Sequence, residues 1–260
     1  MERRTAERDF GATSSISKAL AVLEYVGGAA TRTLPEIAAE CGLPKSTLLR
    51  ILGQLVDLGF LRRTEHGRYA VTLKVWRLGC SAVDYAGVRE HVIPVLRDLV
   101  ATSGETAHYA VYEDSSAVYV DKVDGLHPIR SYTVVGGRSP AYASATGKAL
   151  LSGQADDEVR RVGARAIVSS ESTIVGAEPV LAEARVIRSR GYAVNRGEWR
   201  AGVWGIGAPV FGRSGEVVAA VGISGPRERI EPTIEASAAL VMRAARSLSA
   251  QHGAALGSAS

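Results

Sequence analysis

The chain has 260 residues, 46% of them hydrophobic and 22% charged, with 31 Lys and Arg against 27 Asp and Glu. That is a globular composition with room for two domains. No uninterrupted apolar run, including the one at 217–221, approaches the ~20 residues of a membrane helix. Two cysteines, Cys41 and Cys80, exclude a disulfide framework, and the histidines at 66, 91, 108, 127 and 252 are scattered. We therefore expect no metal and no cofactor. The charged N-terminus lacks the apolar stretch of an export signal and points to the cytoplasm.

Residues 1–13 read as a disordered arm. A first helix is predicted from Ser15, with Ile16, Ala19, Leu20 and Leu23 facing inward and Gly27-Gly28 at its end. The next segment is the most informative of the chain. Thr33 and Glu36 have the spacing of a capping box, Gly42 supplies a turn, and Pro44 suits the start of a second helix. In that second helix Leu48, Ile51, Leu52 and Leu55 recur at helical spacing as a buried stripe. Lys45, Ser46, Thr47, Leu49 and Arg50 lie in its first two turns, where a helix in a major groove presents side chains to phosphates and base edges. Residues 60–63 and 68–71 then flank a Thr-Glu-His-Gly turn, a hairpin that carries Arg62, Arg63 and Arg68. This is a winged helix-turn-helix. A capped helix pair with a basic hairpin could also be a packing module, but charge location argues against that. Residues 1–79 hold twelve Lys and Arg and eight Asp and Glu, the whole +4 of the chain, while residues 80–260 hold nineteen of each. The excess sits where phosphates would be neutralised.

Residues 75–101 are predicted as a linker helix region, with Pro94 a kink or break. From about Thr106 the pattern alternates, giving strands at 108–112 and 117–123 around an Asp-Ser-Ser turn, and another at 129–135. Helices are predicted at 146–152 and 179–190, strands at 191–195, 205–211 and 217–224, and a terminal helix at 231–251 before a loose tail. The expected fold class is α+β, with an antiparallel sheet and helices beside it. The domains are a winged helix-turn-helix at 14–74, the linker at 75–101, a sheet domain at 102–252 and a tail at 253–260.

Three segments together carry a resemblance to the IclR family of bacterial transcriptional regulators. They are Leu43-Pro-Lys-Ser-Thr-Leu-Leu-Arg with Gly59-Phe-Leu, the stretch 135–151 that contains Ala145-Thr-Gly-Lys, and 191–198 followed by Ala208-Pro-Val and Val221-Gly-Ile-Ser-Gly-Pro. The resemblance covers roughly residues 15–251. It implies a GAF-like C-terminal domain that binds a small effector, assembly into homodimers or homotetramers, and operator DNA as partner, with no membrane. It also implies an effector pocket at Ser131, Ser139, Ala145, Thr146, Asn195, Val203 and Gly205. The amides of Ala145 and Thr146 would hold an effector carboxylate, as a helix N-terminus favours an anion. Asn195 stands where the family commonly has Asp, and Gly205 where it commonly has Cys. The first removes a negative charge and the second is expected to enlarge the pocket, with Trp199 and Trp204 as candidates to fill it. Both departures point from small keto acids toward a bulkier, aromatic acid. The function expected is a ligand-responsive repressor of a catabolic operon, with an activator as the alternative. A further alternative, a hydrolase using Ser144 and Lys148, lacks a third orienting group and the G-x-S-x-G elbow.

Overall fold

The computed structural model describes residues 14–80, 85–129 and 133–255. The expected arm at 1–13, Ser131, and residues 256–260 of the tail lie outside the described residues. Two compact units divide at Tyr85 and Ala86.

In the N-terminal unit, helix α1 (Ser15–Gly27) starts at Ser14, whose hydroxyl accepts from the Ser17 N–H. Helix α2 (Leu34–Cys41) opens on the expected capping box: Thr33 N–H donates to Glu36 Oε2 at 2.6 Å, and Glu36 N–H to Thr33 Oγ1 at 3.4 Å. Gly42 closes it with φ +58°, a conformation that suits a residue without Cβ. Helix α3 (Lys45–Asp57) buries Leu48, Ile51, Leu52 and Leu55. Strands β1 (Leu61–Arg63) and β2 (Tyr69–Val71) pair antiparallel, and Arg32 exchanges two backbone hydrogen bonds with Tyr69. The inward face expected for α1 needs correction. Val22 and Val26 are its buried residues, with Ala19 and Leu23 packed beside them, whereas Ile16 and Leu20 are exposed. Among the described residues the core packs on α1 from Ala19 onward and leaves Ile16 and Leu20 outside it. Helix α4 (Leu73–Cys80) follows the hairpin.

In the C-terminal unit, α5 (Tyr85–Ser103) runs through Pro94 without interruption. A six-stranded antiparallel sheet follows, in the order β5-β4-β3-β8-β7-β6. Its strands are β3 (Thr106–Glu113), β4 (Ser116–Val123), β5 (Arg138–Pro140), β6 (Ala193–Arg196), β7 (Val203–Phe211) and β8 (Val217–Pro226). Asp114 and Ser115 both have positive φ, as a two-residue hairpin turn between right-twisting strands requires. The strand expected at 129–135 is replaced by the short β5 further on. Residues 133–137 instead bend through a turn in which Gly137 N–H reaches Val134 O, and 130–132 lie outside the described residues. Helices α6 (Ala145–Ser152), α7 (Asp156–Ala164) and α8 (Ala177–Arg190) follow β5. The sequence reading missed α7, a short helix with three acids in its first turn and only Val159, Val162 and Gly163 buried. A 3-10 turn (Glu231–Thr233) leads into α10 (Ile234–Ala255) from the short α9 (Arg227–Ile230). The fold is α+β, and among the described residues no helix is long and apolar enough to cross a membrane.

Candidate functional site

Helix α3 separates its residues cleanly. With one stripe buried, Lys45, Ser46, Leu49 and Arg50 are exposed and Thr47 is half-buried. Arg50 Nη1 reaches Gln54 Oε1 at 3.3 Å, a neutral partner that leaves the charge available. Arg62 and Arg63 are exposed on β1. Arg68 differs from them. Its Nε donates to Thr31 Oγ1 at 2.8 Å and its Nη2 to Thr31 O at 3.4 Å, with Glu36 Oε2 at 3.6 Å. Arg68 thus ties the hairpin to the start of α2. Hydrogen bonds from Thr33, with the Arg68 charge behind them, hold Glu36 below the usual carboxylate range. On α3 and the wing the exposed cations are accordingly Lys45, Arg50, Arg62 and Arg63.

In the C-terminal unit, five of the seven residues expected from the resemblance line one cleft: Ala145, Thr146, Asn195, Val203 and Gly205. The cavity itself measures about 30 Å³, and His108, Tyr119, Thr133, Ser144, Trp199, Arg200, Ile223 and Ser224 complete its walls. Ser139 sits behind the wall, where it accepts from Tyr119 Oη at 3.1 Å and donates to Ser144 Oγ at 2.9 Å. Ser144 caps α6 by accepting from Gly147 N–H at 3.2 Å. The next two amides of the helix, those of Ala145 and Thr146, have no acceptor among the described residues. They are two donors at the positive end of a helix whose first residues line the cleft.

Gly205 does not leave the room expected of it. A Cβ there would meet Ile223 O at 2.7 Å and the Ala145 and Ser224 Cβ atoms at 3.3 Å, so neighbours already fill the space. At Gly207 a Cβ would lie 2.6 Å from the Ala145 carbonyl. The two glycines let the start of α6 lie directly on β7. Asn195 is also committed within the protein: its Nδ2 donates to Val203 O at 3.2 Å, and its Oδ1 accepts from Glu198 N–H at 2.9 Å. It spans the base of the 197–202 loop, which carries Trp199 and Arg200 to the cleft.

Sequence reasoning missed His108. It is buried, with Nε2 2.7 Å from Ser224 Oγ and Nδ1 3.3 Å from Thr133 Oγ1, and its ring is 5.1 Å from that of Tyr119. Burial, aided by the Lys122 charge, pushes its pKa down to about 3, so the imidazole is neutral, with one nitrogen a donor and the other an acceptor. Alternation gave no signal for it, since β3 is buried on both faces from Thr106 to Ala110.

Beneath the loop lies a buried ion pair. Lys148 and Glu198 are each 3% exposed, and Lys148 Nζ donates to Glu198 Oε1 at 2.7 Å, Oε2 at 3.0 Å and Val194 O at 2.7 Å, with Glu183 Oε1 at 3.1 Å. Burial pushes the Glu198 carboxyl up, and the Lys148 cation opposes the rise. The Glu198 carbonyl accepts from Ser170 Oγ and Thr173 Oγ1. Glu198 therefore orients the loop and points away from the cleft. With Lys148 engaged by these acids and Ser144 by its helix cap, the two do not form a nucleophile pair. No cluster able to hold a metal ion occurs among the described residues.

Residues 15–65 match the IclR helix-turn-helix domain, and residues 80–250 match the bacterial transcriptional regulator IclR C-terminal domain. The chain is 32% identical to the HTH-type transcriptional regulator KdgR of Escherichia coli, over 92% of this chain and 93% of that one. It is 30% identical to the transcriptional repressor IclR of Escherichia coli, over 94% of this chain and 91% of that one. The Thermotoga maritima IclR structure superimposes with a TM-score of 0.73 at 27% identity, covering 92% and 98%. With both units matched in order and along nearly its whole length, the chain belongs to the IclR family: it is a DNA-binding transcriptional regulator and not an enzyme.

Proposed function

We propose that the protein is a repressor that leaves its operator when a small organic acid, aromatic acids among them, occupies the cleft of the C-terminal unit. Lys45, Ser46, Thr47, Leu49 and Arg50 of α3 read or position at the major groove, and Arg62 and Arg63 of the wing contact phosphates. Arg68 supports the wing from within, as its bonds to Thr31 indicate. The observation that carries the effector assignment is the pair of unaccepted amides at the start of α6, beside a cleft lined by Arg200 and Trp199, the guanidinium stacked on the indole at 4.4 Å. Donors and a cation suit a carboxylate, and the indole suits a flat apolar body. Neutral His108 adds polar contacts without adding charge. The aromatic preference rests on Trp199, because Gly205 opens no space.

One winged helix covers few base pairs, which supports a homodimer or homotetramer on a pseudo-palindromic operator. A thermal-shift screen of the full chain tests the effector assignment, using benzoate, phenylacetate and short keto acids, each beside its carboxamide. Stabilisation by an acid and not by its amide is the expected result; a ligand present at a hundred times its Kd stabilises by about 2.7 kcal/mol. Equal shifts from acid and amide would overturn the carboxylate assignment.

A further inference from the structure

Gly53 stands in the middle of α3, and nothing among the described residues requires glycine there. A Cβ built there meets nothing within 4 Å, and its φ lies outside the left-handed region. Glycine inside an exposed helix is destabilising relative to alanine, because it leaves more conformational freedom to the unfolded chain. The position thus carries a cost that neither packing nor backbone geometry requires. Its surroundings suggest what does. At 100° per residue, Ser46, Leu49, Arg50, Gly53 and Asp57 fall opposite the buried stripe of Leu48, Ile51, Leu52 and Leu55. Ser46, Leu49, Arg50 and Gly53 are all exposed. Gly53 is a notch in that ridge, bordered by the long side chains of Leu49 and Arg50.

Residue 53 lies eight positions beyond Lys45, about 12 Å along the axis, and the major groove is about 12 Å wide. A helix whose first turns reach base edges has this position level with the groove wall. Asp57, one turn further, is the first acidic side chain on the face, so the phosphates must be passed before it. We infer that Gly53 is the point of closest approach between the α3 backbone and the sugar–phosphate wall of the operator. A single methyl there would hold the helix off its base contacts. The inference rests on α3 being the DNA-reading helix.

The test uses the full chain and a duplex that the wild-type protein selects from a randomised pool. For Gly53→Ala the expected result is a thermal midpoint raised by a few degrees together with at least tenfold weaker binding to the selected duplex. Gain of stability with loss of affinity separates an external contact from a folding defect. Unchanged or tighter binding by Gly53→Ala would overturn the inference, and so would a lowered midpoint, which would place the requirement for glycine inside the fold. Arg50→Ala serves as the reference: if it too binds like wild type, the failure lies with α3 as the reading helix and not with Gly53 alone.

Discussion

Asn195 shows how one side chain shapes a site without a charge. Its amide donates to Val203 O and accepts from Glu198 N–H, and an aspartate can perform only the second of these tasks. Asn195→Asp would set a carboxylate oxygen against the Val203 carbonyl and add negative charge beside the proposed anion site. Affinity for an acid effector should fall by at least ~1 kcal/mol, read by calorimetry, with operator affinity in the absence of effector unchanged. Equal effector affinity in both proteins would remove Asn195 from the site. His108 gives a prediction in pH. Its folded pKa of about 3 lies below the ordinary 6.5, so the unfolded chain binds the extra proton. Stability from this residue is fully present above pH 6.5 and is lost as pH falls toward 3, by up to ~1.4 kcal/mol per unit. Denaturation between pH 6.5 and 5 should show a steeper slope in wild type than in His108→Asn. The Lys148–Glu198 pair is the third case. Lys148→Met strands a buried carboxylate and should cost about 3–5 kcal/mol in urea denaturation, whereas Lys148→Met with Glu198→Leu should recover much of it. If the single variant is as stable as wild type, the pair does not hold the loop.

At the scale of elements, α3 and the hairpin make separable contributions. Arg50→Ala should weaken operator binding by roughly 1–3 kcal/mol and relax its sequence preference. Arg63→Ala should weaken all duplexes alike and flatten the salt dependence by about one unit per protomer. A gel-shift titration at several salt concentrations distinguishes the two, and wild-type affinity in both variants would clear the winged helix of DNA contact. These elements were legible because their signals are local. The Thr33–Glu36 box, the stripe from Leu48 to Leu55 and the turn after Arg63 each depend on neighbours within a few residues. The helix expected at 146–152 came within one residue of α6, whose cap Ser144 bonds within its own turn. What could not be read required distant partners. Ile16 and Leu20 follow helical spacing as well as Val22 does, but only the fold decides where the core ends. The β-branched and aromatic residues of 129–135 resemble a strand, yet turn geometry at Gly136 and Gly137 places the pairing at β5 instead. His108 meets Ser224 across 116 residues, and Arg68 meets Thr31 across 37. The crowding around Gly205 comes from β8 and α6, neither of which its own sequence context reveals.

For the whole molecule, the division of charge matches the division of labour. The N-terminal residues hold the entire positive excess, and the remainder is neutral, so the effector must be recognised by local geometry and not by a general field. Ligand control requires only that the effector prefer one conformation of the assembled protein. A preference of 10–100-fold, or about 1.4–2.8 kcal/mol, is enough to change operator occupancy substantially. The measurement that bears most directly on this is an equilibrium titration of the selected duplex with the full chain, with and without a saturating acid from the thermal-shift screen. The account predicts operator affinity at least tenfold weaker with the acid, an effect lost in Asn195→Asp at the same acid concentration. Unchanged affinity at saturation would contradict it, because a ligand in the cleft would then have no hold on the DNA.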